Sequence, residues 1–425
     1  MVDDRLYVAH YGNSSKADPK EHIDDTLYVV HSGDTYECIA AHVYGDSSKA
    51  NNIKEANGHL GEGQLQEGQK LIIPEIPERP RANVPASIPG KGKDDITILV
   101  NGKEVYPISA RVRRAVDCAA DGWTAIVEWQ KGIKPFRYYK TLVYVGGELV
   151  INGILYGLSA SSGKDKKTMT LEGFGITADI VDSAITGPKY QWYNQTLEQH
   201  AKEVLRPFGV LPVFEFDGGT AFGTIDAEPG TRVFDHLSEL AFQRSLLISS
   251  SPSGNLLFTK AKTGKTVGTL DENGVRALGW SGTFDGRKRF HSYHAIAYSP
   301  LAGDKDIIAV DENIPRTRTM SFNVDDLYSW DVGYAAEWRR SKQVADSVSV
   351  VLPVEGWYAP DGSLWAANTL VTVVSETLFV PQGFTFLVKS VEFSYNVKTG
   401  RTTNVEIVPP GVYAERGTRT EDPWS

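Results

Sequence analysis

A chain of 425 residues is too long for one ordinary core, and domains of the usual size, about 100 to 200 residues, predict roughly three of them. The formal net charge of −9 excludes a general nucleic-acid binder, which needs a basic surface against phosphate. No run of 18 apolar residues offers a membrane-spanning helix, and 40 glycines and 21 prolines among short Val, Ile, Thr and aromatic runs point to strands joined by tight turns.

The opening MVDDRLYVAH has no basic segment followed by an apolar core, so the chain is expected to be made and used without crossing a membrane by itself. Residues 1–25 are polar and charged and read as a flexible arm. Cys38 and Cys118 lie far apart with no metal-ligand spacing, which makes reduced thiols the expectation.

Residues 26–75 read as strand, two short helices and a closing strand. Tyr28 and Val30 alternate as in a half-buried strand, and Asp34 or Thr35 can cap the helix that follows. Ile39, Ala40 and Val43 fall at helical spacing, Gly45 and Asp46 stop that helix, and Asn57 with Gly58 ends a second one carrying Ile53 and Ala56. Leu71 and Ile73 close the unit before Pro74. This order, with Gly33-Asp34-Thr35, Tyr44-Gly45, Ala56-Asn57, Leu65 and Gly68-Gln69, resembles the LysM family; Tyr36 departs from it, standing where an aliphatic residue usually follows the Gly-Asp-Thr turn. The resemblance implies binding of N-acetylglucosamine-containing glycans through loops holding Gly33, Asp34, Thr35, Gly45 and Asn57, or a connector role toward tail partners.

Residues 76–94 form a proline-rich linker, and residues 95–184 a first β block. Asn101-Gly102 signals a tight hairpin, and Trp123, Ala125, Val127 and Trp129 alternate along a strand. Gly146-Gly147, Asn152-Gly153 and Gly163 then punctuate four short strands, as in a small barrel. Residues 185–285 have the mixed texture of an α+β insert: a capped helix after Asn194 to Thr196, with Leu197, Ala201, Val204 and Leu205 on one face, then a second amphipathic helix from Val233 and a hairpin.

Residues 286–412 return to β texture with an associated helix, before a tail at 413–425. Here TLVTV (Thr369, Leu370, Val371, Val373) repeats TLVYV (Thr141, Leu142, Val143, Val145), with Gly383 against Gly153, and T-x-x-L-E ending at Glu172 recurs as T-x-x-V-E ending at Glu406. The shared order predicts a duplicated unit with TLVYV and TLVTV as equivalent strands. The fold expected is mainly β with α+β parts: two tube-like β-barrel domains flanking an α+β insert, preceded by a small βααβ LysM domain.

From Ile96 to about Tyr413 the chain also resembles the baseplate hub proteins of contractile-tailed phages, the group of the Mu-like tail protein P and the T4-type hub. RRAVDCAADGW ending at Trp123, the G-x-L-V-I-N-G turn, TMTLEGFGITADIVDSA from Thr168 and the YNQTL helix start at Tyr193 carry it. The resemblance implies a homotrimer whose duplicated barrels make a pseudo-sixfold ring, taking the sixfold tail tube on one side and the threefold central spike on the other. Baseplate wedge proteins, the tape measure protein and passing DNA are its further implied partners, the virion tail baseplate its place, and the host cytoplasm its site of assembly. An acidic lumen would keep DNA moving without specific binding.

Enzymatic readings find little purchase. Gly264-Lys265-Thr266 lacks the leading glycine of a phosphate loop, whose place Thr259 occupies, and lies in a hairpin context. His291 and His294, three apart on a strand, point to opposite faces. No catalytic, cofactor-binding or metal residues are expected. The alternatives are a LysM-anchored peptidoglycan-degrading tail enzyme and the hub of a type VI secretion or contractile injection particle.

Overall fold

A computed structural model describes residues 6–8, 26–30, 33–44, 50–57, 65–73, 85–88, 92, 94–116, 118–135, 138–164, 166–186, 190–244, 246–297, 305–315, 317–323, 332–413 and 423–424. The chain divides into two units, Met1–Val84 with Thr186–Tyr190, and Pro85–Ile185 with Gln191–Ser425.

In the first unit, β1 (Leu6–Val8), β2 (Thr26–Val29), α1 (Tyr36–Tyr44), α2 (Ala50–Ala56) and β3 (Lys70–Ile73) follow one another. The strands form an antiparallel sheet in the order β1-β2-β3. β1 lies inside the segment read as an arm; the rest of residues 1–25 is outside the described residues. Tyr28, Val30, Tyr36, Ile39, Ala40, Ile53, Leu71 and Ile73 make the core. Tyr36, the departure from the LysM pattern, is fully buried there, so the aromatic ring replaces the aliphatic side chain in the same packing role.

The second unit is built on one 13-stranded sheet. Its first half comprises β4 (Ile96–Val100), β5 (Lys103–Val105), β6 (Pro107–Ala115), β7 (Gly122–Glu128), β8 (Lys140–Val145), β9 (Glu148–Ser162) and β10 (Lys167–Gly175), followed by the short helix α3 (Ala178–Asp182). Asn101 (φ 50°) and Gly102 (φ 76°) supply the positive φ pair that closes the β4-β5 hairpin. Trp123, Ala125 and Val127 of β7 are buried, whereas Trp129 falls just past the strand end and is half exposed.

Asn152-Gly153 does not separate two strands, as its turn-like composition predicted; β9 runs through it. Gly153 pairs with Thr141 and with Gly175, and a Cβ there would collide with the Phe174 carbonyl. Glycine is needed for the close approach of two backbones rather than for a turn. Residues 85–88, read as linker, also join the sheet margin, where Leu149 N donates to Ala86 O and Ile88 N to Gly147 O.

Next come β11 (Gln191–Gln195), α4 (Leu197–Leu205), β12 (Pro212–Phe214), β13 (Phe222–Asp226), α5 (Val233–Gln243), β14 (Leu247–Ser250) and β15 (Leu256–Thr259), which form two small sheets with two helices. α4 opens on a capping box: Thr196 Oγ1 accepts from Gln199 N while Gln199 Oε1 accepts from Thr196 N.

β16 (Thr266–Asp271) and β17 (Ser281–Phe284) fall within the span expected for the insert, yet both pair into the large sheet. Gly264-Lys265-Thr266 therefore lies on a crossing from one sheet to another and not in a hairpin. β18 (Ser292–Ala297), β19 (Lys305–Val310), β20 (Thr319–Asn323) and α6 (Val332–Asp346) make a side layer. His291 lies just before β18, its Nδ1 beside the Asp311 and Ile314 carbonyls, and His294 on β18 pairs with Asp306. β21 (Val348–Glu355), β22 (Leu370–Ser375), β23 (Val380–Asn396) and β24 (Gly400–Val408) complete the sheet.

Candidate assembly interface

The sheet path runs β17-β21-β24-β23-β6-β7-β10-β9-β8-β4-β5, with β22 pairing β23 and β16. It reads as the same unit twice: β17, β21, β24, β23 and β22 stand where β6, β7, β10, β9 and β8 stand, in the same chain order. A β-bulge fixes the correspondence residue by residue. Glu172 pairs with Gly157 and Gly173 with Leu155, leaving Tyr156 bulged; Glu406 pairs with Ser390 and Ile407 with Val388, leaving Lys389 bulged. The two glutamates that end T-x-x-L-E and T-x-x-V-E thus occupy one position of the repeat.

The strands bearing TLVYV and TLVTV also correspond, with an offset. Lys140 pairs with Ile154 on β9 as Leu370 pairs with Leu387 on β23, so Thr141 stands in the place of Val371, Leu142 of Thr372 and Val143 of Val373. The pentapeptides are shifted by two residues, which leaves every side chain on its expected face because the strand period is two. Gly153 accordingly matches Phe386 and not Gly383. The halves also differ: β4 pairs β8 antiparallel, whereas β16 pairs β22 parallel.

The halves are joined by backbone pairing of β6 with β23, from Ala115↔Ser390 to Ser109↔Asn396, extended by Val116 N donating to Lys389 O at 2.9 Å. Glu406 sits beside this joint, near Lys389 Nζ (3.1 Å) and Arg113 (3.6 Å), and accepts from Ser390 Oγ (2.7 Å). Burial pushes its carboxyl up, but the Ser390 hydroxyl, Lys389 and Arg113 outweigh burial and hold it below the ordinary value.

Past Ala115, the chain is tied to the insert. Asp121, buried, accepts from Arg114 Nε (2.9 Å), from Ala115 N (3.2 Å) and from the Ser250 hydroxyl, while Arg114 donates to Ser250 O (2.7 Å). Asn152 Nδ2 donates to Ser253 O. Sequence reasoning noticed RRAVDCAAD only as a run; nothing local marks Asp121 as the acceptor for groups 129 residues away.

Several strand edges have no paired strand among the described residues, those of β5 and β16 included; two of them, on β17 and on β9, correspond to the edges that β6 and β23 join within the chain. All four residues of β17 are exposed, and its described pairing is to β21 alone. β9 overhangs β8: beyond Ile154 its β8-facing edge has no described strand partner, and residues 159–162 are exposed. The Tyr156 hydroxyl at the bulge donates to Asp179; burial first, then Asp179, push its pKa up, so it stays a donor.

In the smaller unit, the residues expected in glycan-facing loops have internal partners. Tyr28 Oη donates to Asp34 (2.8 Å), and Thr35 Oγ1 accepts from Cys38 N (3.2 Å) at the start of α1. Asn57 Oδ1 accepts from Ile72 N, and its Nδ2 donates to Ile72 O and Ile53 O, each at 2.7 Å, stitching α2 to β3. Gly33 holds φ 87° in the turn before α1, and Gly45 lies outside the described residues.

Comparison with known proteins assigns this architecture. Residues 28–74 match the LysM domain, residues 177–260 the second domain of gp44-like baseplate hub proteins, and residues 333–415 the fourth domain of the Mu phage baseplate assembly protein GpP. Over 294 residues the chain is 26% identical to the baseplate hub protein gp44 of Escherichia phage Mu, covering 65% of this chain and 76% of that protein. Together these matches support the reading of the chain as a Mu-like baseplate hub with a LysM domain. Among solved structures it is similar to the 43 kDa tail protein of prophage MuSo2 from Shewanella oneidensis, with TM-score 0.67 and 27% identity over 75% of this chain and 99% of that one. It shares its fold with a tail protein from Neisseria meningitidis MC58, with TM-score 0.67 and 20% identity over 76% and 98% of the two chains. The stretch matching the gp44-like second domain spans α3 and the insert from β11 to β15, and the stretch matching the GpP fourth domain spans α6 and β21 to β24.

Proposed function

We propose that this chain is the structural hub of a contractile phage tail baseplate, without enzymatic activity. Three copies form a ring of six similar tube-like barrel units that adapts the sixfold tail tube to the threefold central spike, with a lumen for the tape measure protein and DNA and an outer surface for wedge proteins. The hub takes its place in the virion tail baseplate after assembly in the host cytoplasm.

The observation that carries this reading is the duplicated sheet unit with its matched bulges at Tyr156 and Lys389. A closed ring offers each neighbour the same patch, so one chain that holds the patch twice lets three copies present six. Similarity to baseplate hub proteins supports the same reading. The LysM unit touches peptidoglycan or a tail partner during delivery, through the face around Gly33 and Asp34.

Native mass measurement of the purified chain together with electron microscopy tests the proposal. A trimer with a ring of six similar lobes is expected. A stable monomer that solubilises peptidoglycan would overturn it in favour of a lytic tail enzyme.

A further inference from the structure

We infer that the open edge of β17 pairs antiparallel with the open half of β9 in a second copy of this chain, in the register Ser281 to Ser161, Gly282 to Ala160, Thr283 to Ser159 and Phe284 to Leu158. The inference rests on the ring reading above and adds the strands and the register by which copies join.

The internal joint is the template. β17 pairs β21 as β6 pairs β7: Ser281 faces Val351 and Thr283 faces Ser349, as Arg111 faces Thr124 and Arg113 faces Gly122. Across the next pair, Leu352 faces Val405 as Ala125 faces Leu171. This sets Thr283 in the place of Arg113 and Phe284 in that of Arg114. On the other side, the bulge sets Leu158 in the place of Val391 and Ser159 in that of Glu392. Within the chain, Arg114 pairs with Val391 and Arg113 with Glu392. Carrying those pairs to the open edges gives the stated register without adjustment.

A second observation points the same way. Edges that face solvent are usually blunted by charged residues or proline. β17 reads SGTF and the open stretch of β9 reads GLSASS, with neither device in either. The edges are different from each other, so each copy offers one and receives the other. That is a head-to-tail contact, which closes into a ring when the rotation permits.

The two kinds of joint differ in chemistry. The places of Arg113, Lys389 and Ser390 are held by Thr283, Tyr156 and Gly157, while Glu172 keeps the place of Glu406. The joint between copies thus lacks the cations of the internal one and relies on backbone hydrogen bonds.

The test is disulfide capture in a chain carrying Cys38→Ser and Cys118→Ser. Directly opposed residues of an antiparallel pair have Cα atoms about 4.5 to 5.5 Å apart, within disulfide range. Thr283→Cys with Ser159→Cys is expected to give a non-reducing ladder ending at a covalent trimer, at least tenfold more than Thr283→Cys with Ala160→Cys, whose side chains face opposite ways. A native trimer in which only the second pair, or neither, closes would overturn the edge assignment while leaving the ring. A monomer at every concentration would remove the ring reading and the inference together.

Discussion

The Nε2 atoms of His200 and His236 face each other at 2.8 Å between α4 and α5, both rings buried. Gln195 Nε2 donates to Glu203 (2.9 Å), which turns Gln195 Oε1 toward His200 Nδ1 (3.2 Å). His200 therefore carries its proton on Nδ1, and its Nε2 accepts from His236. Trp192 donates to the other Glu203 oxygen and lies edge-on to His200.

Burial lowers the His236 pKa from 6.5 to about 4. Between those values the unfolded chain binds a proton that the folded chain refuses. The stability present above pH 6.5 is therefore lost progressively as pH falls toward 4, by about 3 kcal/mol at about 1.4 kcal/mol per pKa unit. Urea unfolding of the insert, followed through Trp192 fluorescence, should show a lower midpoint at pH 4.5 than at pH 7. In His236→Gln that difference should shrink.

Asp121→Ala removes the acceptor of both Arg114 Nε and Ala115 N, and leaves a guanidinium uncompensated between the sheet and the insert. Breaking a buried pair in this way costs on the order of 3–5 kcal/mol. Denaturant unfolding should report a loss of that size, with a smaller one for Asp121→Asn, which keeps a hydrogen-bonding oxygen. An unchanged midpoint for the alanine variant would contradict the assigned joint.

Gly153→Ala would press a methyl group into the Phe174 carbonyl between two paired strands. Overpacking of this kind costs about 1–3 kcal/mol. Gly132→Ala, where nothing lies within 4 Å of the added carbon, is the matched control and should leave the melting temperature unmoved.

Glu406→Ala deletes the carboxylate that gathers Arg113, Lys389 and Ser390 at the internal joint. A loss of about 1–3 kcal/mol is expected from the charged hydrogen bonds. Because the folded carboxyl is held below its ordinary value, this contribution is present above the ordinary carboxylate pKa and is lost as pH falls through the folded one. Comparing wild type and Glu406→Ala at pH 7 and pH 3 should show the gap closing in acid.

Asn57→Ala removes two hydrogen bonds that tie the end of α2 to β3 and one to the Ile53 carbonyl of α2 itself. At about 1 kcal/mol each, the small unit should lose roughly 2–3 kcal/mol while the large unit melts unchanged. A glycan-contact role alone would leave the melting of both units as it was, so calorimetry separates the two.

Much of this protein was legible in sequence because the signals are local. The Asn101-Gly102 turn, the alternation of Trp123, Ala125 and Val127, the Thr196 cap of α4 and the LysM run each depend on φ preference, strand period or capping within a few residues. The repeated T-x-x-L-E and T-x-x-V-E even marked the one glutamate position that the two bulges share. What local pattern leaves open is the partner. Ser281 to Phe284 falls in the span read as the insert yet pairs into the large sheet, Gly153 reads as a turn until the Phe174 carbonyl is brought against it, and the two pentapeptides align two residues out of step because alternation repeats every two. Side-chain alternation by itself determined which face each strand buries. Only the tertiary structure decided which strand lies beside it, since the hydrogen bonds that join β6 to β23 connect backbones far apart in sequence and almost any residue can make them.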